Sequence, residues 1–345
     1  MAQEVISTEA PPPAEAGPPT ARRVSGRSAL LLVMRNALPV GFAILIGLFV
    51  ALGAPNFLTL PNFSDILRLS APIMVVAIPM AFLLIMGHVD LSVGSTIALS
   101  AVVLGLLMRD WGLSPLLAVP LGALGIGVLI GVMNGTLVTR VGLSPIIVTL
   151  GTLTAIRGFA MWLAPFPVFG FPRDFVQIAY TGVFGIPYLV IGAAVVVAIG
   201  AFVLALSAAG RHVLAIGVNE EAAFLSGISV KRTILAGYIA TAAMAGFAGA
   251  MYASLLNSAP AGSLGVGNEL SILTAVLLGG VSFNGGRGTI RGVVLGVLFL
   301  AVLQNGLTLM NVPAAGAGII QGVALVVAAG LDLATQKAES RVKGR

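Results

Sequence analysis

Cysteine is absent from the 345 residues, histidine occurs only twice, and charged residues make up 9% of the chain. Without cysteine, disulfide bonds and thiolate metal ligands are excluded, and His88 and His212 are too few for a histidine-based metal site. A typical soluble domain carries about 25% charged residues. Because this chain is 58% hydrophobic, the sequence predicts an all-α polytopic membrane protein.

Nucleotide-binding and catalytic motifs are also missing. No G-x-x-x-x-G-K-[ST] stretch occurs, so we predict no ATP site in this chain, and we assign no catalytic or metal-binding residues. The net charge of +6 comes from basic residues in the tails and alternate loops, as membrane topology requires. Aromatic residues amount to only 6% and follow no basic face, so no nucleic-acid binding is predicted.

Hydropathy predicts ten transmembrane helices of roughly 20 residues each. Residues 1–28 are predicted to form a disordered cytoplasmic tail, 29–332 the transmembrane domain, and 333–345 a basic cytoplasmic tail. The predicted spans are residues 38–52, 71–86, 91–108, 115–133, 144–163, 186–206, 233–256, 270–281, 292–310 and 314–331.

The distribution of basic residues predicts that both termini are cytoplasmic. Of the 18 lysines and arginines, this topology places all but Arg68, Arg109, Arg157 and Arg173 inside, as the positive-inside rule favours. Arg157 is expected to extend along its helix to the outer interface, with contact to a docking protein as the alternative.

Residues 87–95, GHVDLSVGS, place Asp90 in an otherwise apolar run. A carboxylate at the centre of a membrane helix costs about 2.5–3.5 kcal/mol on insertion scales. The flanking glycines, Gly87 and Gly94, predict a break between two helices, with Asp90 capping a helix that begins at Leu91. Such a break is tolerated where it faces protein or a water-filled path. The alternative is a simple interfacial turn.

Two stretches of the first half resemble stretches of the second. GHVDLSVGSTI from Gly87 is similar to GGVSFNGGRGTI from Gly279, and VMNGTLVTRVGLSP from Val132 is similar to VLQNGLTLMNVPAA from Val302. Glycine breaks at matching positions predict an internal repeat of the kind found in transporters. Chance similarity between apolar segments is the alternative.

The polar loop at residues 210–232 is predicted to contain a short helix outside the membrane. Asn219 can cap this helix, and Glu220 and Glu221 occupy its first turn, where the helix dipole favours acidic residues. Gly227 is expected to end it. A short amphipathic helix of this kind suits a groove on a partner protein; a surface helix at the headgroups is the alternative.

Four stretches together identify a family resemblance. EAA at residues 221–223 with Gly227 resembles the loop by which importer permeases contact their ATPase, and GHVDLSVGS resembles a signature of ribose-type ABC permeases. NGTLVTRVGLSPIIVTLGTLTAIRG from Asn134 and LLGGVSFNGGRGTIRGVVLG from Leu277 are similar to further stretches of that family. The resemblance covers about residues 40–332. His88 departs from the pattern, which usually has glycine there, and is expected only to fill space.

The resemblance implies a subunit of a monosaccharide importer in the bacterial inner membrane. Its partners would be a cytosolic ABC ATPase, which binds the ATP, a periplasmic sugar-binding protein and a second permease copy, in surrounding lipid. No cofactor is expected in this chain. The implied ATPase-coupling residues are Glu220, Glu221, Ala222, Ala223 and Gly227.

Hydroxyl and amide side chains in the spans are candidates for the sugar path, because hydrogen-bonding groups discriminate between polar substrates. For each of them alone, helix packing is the alternative role. The candidates are Asp90, Ser92, Ser95, Asn134, Thr149, Thr152, Asn284 and Asn305.

Two other functions fit part of the pattern. A permease for branched-chain amino acids or another small polar solute would share the same importer architecture. An ion-coupled carrier would use Asp90 as its titrating group, but neither a carrier nor a passive channel needs an ATPase-docking loop.

Overall fold

The computed structural model describes residues 37–343, with side chains for residues 38–313 and 315–330. Residues 1–28 and the side chains of residues 333–345 therefore lie outside the described part. Helices dominate the described chain, and we number them in chain order. They are α1 (Ala37–Ala51), α2 (Leu60–Ile85), α3 (Val93–Arg109), α4 (Pro115–Val141), α5 (Pro145–Leu163), α6 (Arg173–Gln177), α7 (Tyr188–Leu206), α8 (Ala208–Val218), α9 (Glu220–Leu225), α10 (Val230–Leu256), α11 (Asn268–Leu278), α12 (Ile290–Leu309) and α13 (Ala314–Lys343).

The predicted all-α membrane class is confirmed. Six described helices, α2, α4, α5, α7, α10 and α12, are long and apolar enough to cross a membrane. Shorter apolar helices, α1, α3, α11 and the apolar part of α13, coincide with the other four predicted spans. A described helix therefore occupies each of the ten predicted spans, but only six of these helices are long and apolar enough to cross a membrane.

Helix α2 is much longer than the predicted segment at residues 71–86. It has 26 residues because Thr59 caps its start with its hydroxyl oxygen and Pro61 occupies its first turn. The charged residues Asp65 and Arg68 lower the hydropathy of its first turns, so a hydropathy window begins too late.

Helix α8 lies where the sequence predicted loop. Ser207 starts it by accepting a hydrogen bond from the Gly210 N–H at 3.1 Å. Val213 and Ile216 are buried on one face, at the three-residue spacing of a helix surface. A single extended residue, Ser207, thus separates the membrane-length helix α7 from an 11-residue helix that packs its apolar side on the bundle.

Close backbone packing holds the central helix α10 in the bundle. A Cβ atom on Gly127 of α4 would collide with the carbonyl of Ala242 on α10, and one on Gly246 of α10 would collide with the carbonyl of Ala123. Small residues at helix contacts are the usual basis of packing within membranes, where apolar burial alone does not drive association.

Backbone hydrogen bonds form two short pairings outside the long helices. Between α6 and α7, strands β1 (Gly182–Val183) and β2 (Ile186–Pro187) form a small antiparallel hairpin. Separately, Val168 exchanges hydrogen bonds of 3.2 and 2.9 Å with Ala259 in the segment between α10 and α11. The connections after α5 and after α10 are therefore fixed to each other.

Candidate functional site: a buried polar hub and the polar loop

The break between α2 and α3 carries the chain from the surface to the interior. Gly87 is exposed and adopts a φ of 78°, whereas Asp90 is 0% exposed. The Asp90 Oδ1 atom accepts hydrogen bonds from the Ser92 N–H at 2.9 Å and from the Ser92 Oγ at 2.6 Å. The predicted break is thus present, and Asp90 stabilises it.

The predicted helix start at Leu91 is wrong by two positions. Helix α3 begins at Val93, and Ser92 occupies the N-cap position. Asp90 therefore closes the turn before the helix rather than capping the helix itself. A carboxylate two residues ahead of its N–H partner forms an Asx-type turn, and a sequence pattern does not distinguish this arrangement from an N-cap.

Four of the candidate path residues meet in one cluster, which we call the polar hub: Asp90, Ser92, Ser95 and Asn134. Asn134 on α4 donates from Nδ2 to the Ser92 Oγ at 2.9 Å, and Ser95 donates to the Ser92 carbonyl at 2.8 Å. All four residues are 0% exposed. The hub therefore joins α3 to α4 inside the bundle, enclosed by protein.

The hub also reaches α10 through the backbone of the break. Tyr238 on α10 donates its hydroxyl hydrogen bond to the Val89 carbonyl at 3.2 Å. Two buried acceptors, Asp90 Oδ2 and Asn134 Oδ1, have no hydrogen-bond partner among the described residues. An unpaired buried acceptor costs roughly 1–3 kcal/mol, so the hub has hydrogen-bonding capacity that this arrangement leaves unused.

The other four candidates lie apart from the hub. Thr149 and Thr152 donate to Pro145 and Val148 carbonyls of their own helix, α5, at 2.8 and 3.0 Å. Asn284 is exposed in the connection between α11 and α12. That all eight candidates line one path stays a prediction.

Asn305, the last candidate, belongs to a second polar contact. It exchanges hydrogen bonds of 2.8 and 3.0 Å with Asn62 of α2, and these side chains join the end of α12 to the start of α2.

Arg157 is hydrogen-bonded to a segment between two other helices. Its Nη1 atom donates to the carbonyls of Ala261 at 2.9 Å and Leu264 at 2.6 Å. Both acceptors lie between α10 and α11, so this half-buried arginine ties α5 to that connection. The expectation that Arg157 reaches the outer interface stays a prediction, and the sequence did not indicate these two carbonyl acceptors, which lie 104 and 107 positions further along the chain.

Glu269 is a charged residue that sequence reasoning missed. It lies half-buried in the first turn of α11 and interacts electrostatically with Arg157. Its Oε1 atom accepts from the Gly267 N–H at 3.2 Å. The signal available in the sequence was an acidic residue closely following Gly265 and Gly267, at the start of an apolar run, which is typical of a helix N-terminus.

The predicted short helix of the polar loop is present as α9. Asn219 caps it by accepting from the Ala222 N–H at 2.9 Å, and Gly227 follows it with a φ of 82°. Glu220, Glu221 and Ala222 are exposed. We call α8, α9 and Gly227 the coupling segment.

One of the two alanines implied in ATPase coupling is buried, and two larger apolar side chains of α9 are exposed. Ala223 is only 4% exposed and faces the interior of the chain, whereas Phe224 and Leu225 are 67% and 79% exposed. The next connection turns the chain into α10 at Val230. A partner approaching α9 would therefore meet the Phe224 and Leu225 side chains before Ala223.

The coupling segment packs directly on the break. A Cβ atom on Gly217 of α8 would collide with the Ile85 carbonyl at the end of α2. The same carbonyl accepts from the Gly286 N–H at 2.8 Å. Three segments thus converge on the end of α2: the coupling segment, the break and the glycine-rich connection between α11 and α12.

Comparison with known proteins matches most of the chain to one family. The model of the family described as "Branched-chain amino acid transport system / permease component" matches residues 62–329. This chain belongs to that family. The described residues of the permease contain no group of three or more His, Asp or Glu side chains placed to hold a metal ion.

Several curated relatives of this permease are sugar permeases. The D-allose transport system permease protein of Escherichia coli (strain K12) is 35% identical over 291 residues, which cover 84% of this chain and 89% of that protein. The ribose import permease protein of Bacillus subtilis (strain 168) is 36% identical over 297 residues, covering 85% and 91%. These matches confirm the resemblance seen in the motifs. No solved structure matches the chain significantly.

Proposed function

We propose that this permease is the membrane-spanning subunit of an ATP-driven ABC importer that translocates a monosaccharide. The observation that carries this proposal is the match to the D-allose and ribose permeases over more than four fifths of this chain. A galactose/methyl galactoside import permease protein of Haemophilus influenzae, 33% identical over 319 residues, supports the same substrate class.

A second candidate is a permease for branched-chain amino acids or another small polar solute. The family description favours this alternative, because it names branched-chain amino acids. The names of the individual relatives favour a sugar, and these relatives resemble this chain along most of their length. We therefore place the monosaccharide first.

We propose ten membrane crossings with both termini in the cytoplasm of a bacterial inner membrane. The crossings would be α1, α2, α3, α4, α5, α7, α10, α11, α12 and α13. Charge supports this topology, since Arg140, Arg211 and Arg287 then lie on the inner side together with the coupling segment. The short helices α3 and α11 would cross together with the extended segments that precede or follow them.

The coupling segment would transmit ATPase movement to the membrane path. The exposed Phe224 and Leu225 side chains suit an apolar groove on an ATPase subunit, and the acidic first turn at Glu220 and Glu221 would orient α9. Because Gly217 contacts the end of α2, displacement of the coupling segment would displace the break and the polar hub. ATP would be bound and hydrolysed on the partner chain, and no cofactor is proposed here.

The permease would work as two copies, supplied by a periplasmic binding protein. The test is uptake into proteoliposomes that contain the permease, its ATPase and the binding protein. We expect ATP-dependent uptake of at least one of labelled D-allose, D-galactose, D-ribose and L-arabinose, unaffected by excess leucine. Uptake driven by an imposed pH gradient without ATP would contradict the importer, and uptake of leucine alone would favour the second candidate.

A further inference from the structure

A cavity of about 410 Å³ lies between α2, α11, α12 and α13, away from the polar hub. It is at the end of the bundle where α2 begins and α12 ends. Ligand sites generally occupy about 300–1,000 Å³, so this cavity has the size of a site for one small ring. In the proposed topology it lies in the outer half of the membrane.

The cavity wall combines apolar side chains with amides and hydroxyls from several helices. None of the described lining residues is charged. This composition differs from that of a lipid-facing groove, which needs no hydrogen-bonding groups. The polar wall residues that carry the argument are Tyr252, Asn268, Ser271, Gln304, Asn305 and Gln321.

Several of these groups keep hydrogen-bonding capacity for a solute. Asn268 donates to the Tyr252 hydroxyl at 3.1 Å, and Gln321 donates from Nε2 to the Ser271 Oγ. Each contact uses one of the positions that a carboxamide offers, which are two N–H donors and an oxygen with two lone pairs. The side chain of Gln304 is exposed in the cavity wall and makes no hydrogen bond to another described residue.

We propose that this cavity is a sugar-binding subsite that holds a neutral monosaccharide during transport, an assignment that rests on the proposed function. An uncharged wall suits an uncharged polyol, because no ionised partner has to be neutralised. Amides and hydroxyls would bind the sugar hydroxyls, and the aliphatic wall formed by residues such as Leu300 would contact the C–H faces of the ring. Groups that hydrogen-bond a substrate hydroxyl discriminate strongly between analogues.

The position of the cavity also separates binding from gating. The polar hub is enclosed by protein, whereas the cavity is partly open and lies at the opposite end of α2 from the break. A sugar released at the outer side would enter the cavity first. Movement of the break at Ile85 would reach the cavity along α2, whose residues Ile66 and Ser70 form part of its wall.

The test compares substitutions in the cavity with the same chemical change elsewhere. Gln304→Leu and Gln321→Leu remove a wall amide, and Gln177→Leu on the exposed face of α6 is the matched control. Gln304→Asn keeps the amide but shortens its reach. Each variant is purified with the ATPase and the binding protein, and folded yield is measured by size-exclusion chromatography before uptake of the four labelled sugars.

We expect each cavity Leu variant to lower kcat/KM by roughly three- to tenfold, as the loss of one hydrogen bond does, and to change the ratio of rates between the four sugars. Gln177→Leu should leave that ratio unchanged, because Gln177 lies outside the cavity. Even if it affected the docking of the binding protein, it would change the uptake rates of all four sugars by the same factor. Gln304→Asn should alter the ratio with normal folded yield, which separates binding from misfolding.

Two results would overturn the assignment in different ways. In the first, the wild-type permease takes up sugar, and Gln304→Leu, Gln321→Leu and Gln304→Asn all keep its uptake rates and its ratios between the sugars. That result would show that the cavity holds lipid or water, while the importer function stands. A wild-type importer that moves none of the four sugars would refute the proposed function, and the sugar subsite with it.

Discussion

Replacement of Asp90 tests whether the polar hub needs a charge or only an acceptor. In Asp90→Ala, the Ser92 N–H and hydroxyl both lose their acceptor inside the bundle. Leaving a buried polar group unpaired costs about 1–3 kcal/mol, so the two together cost roughly 2–6 kcal/mol. Since a folded domain is stable by about 5–15 kcal/mol in total, we expect Asp90→Ala to lose much of its folded yield.

In Asp90→Asn, the remaining amide oxygen can accept both hydrogen bonds. The new NH2 group replaces Oδ2, which has no hydrogen-bond partner among the described residues. It adds a donor to a cluster in which the Asn134 Oδ1 acceptor has no donor. The charge that is costly to bury in a membrane is removed as well. We therefore expect Asp90→Asn to change stability by less than about 1 kcal/mol and to retain most transport.

The assay is thermal unfolding of detergent-solubilised permease, followed by size-exclusion chromatography, together with ATP-dependent sugar uptake. Ser263→Ala, in the exposed part of the connection before α11, serves as a control for a substitution outside the hub. If Asp90→Asn unfolds as early as Asp90→Ala, the two hydrogen bonds do not carry the stability of the break. If Asp90→Asn folds normally but transports nothing, the charge itself acts in transport and the ion-coupled alternative gains support.

Three further predictions concern the coupling segment, the anchor on α5 and the N-terminal tail. Phe224→Asp should insert normally but bind the ATPase roughly tenfold more weakly in pull-down and ATP-turnover assays, because an apolar anchor is lost. Glu221→Ala should weaken binding less. Retention of the ATPase by Phe224→Asp would refute docking through this side chain. Ala223→Arg, in contrast, should lower folded yield, because Ala223 is buried. Arg157→Leu should lower the unfolding free energy by roughly 1–3 kcal/mol and increase protease cleavage near Ala261, whereas unchanged cleavage would show that the anchor is dispensable. Deletion of residues 1–28 should leave transport and the side of the C-terminus unchanged, as measured by uptake and protease access, and a reversed orientation would show that the tail arginines set the topology.

The sequence alone determined the class of the protein, its family and the approximate positions of the helices that occupy the predicted spans. These features depend on local properties, namely hydropathy over roughly 20 residues and cap residues such as Asn219, whose partner lies three positions away. The break at Asp90 was predictable for the same reason, because glycine and aspartate weaken a membrane helix wherever it packs.

Only the tertiary structure decided which polar side chains meet. Asn134 contacts Ser92 across 42 positions, and Asn305 contacts Asn62 across 243, distances at which no local pattern records a pairing. Thr149 donates its hydroxyl hydrogen bond to its own helix, and Arg157 donates to carbonyls of another segment. Ala223 is buried, while Phe224 is exposed. These outcomes depend on how the helices rotate and cross, which is set by close packing at residues such as Gly246. The cavity exists only because α2 comes together with α11, α12 and α13, which lie far from it in the chain.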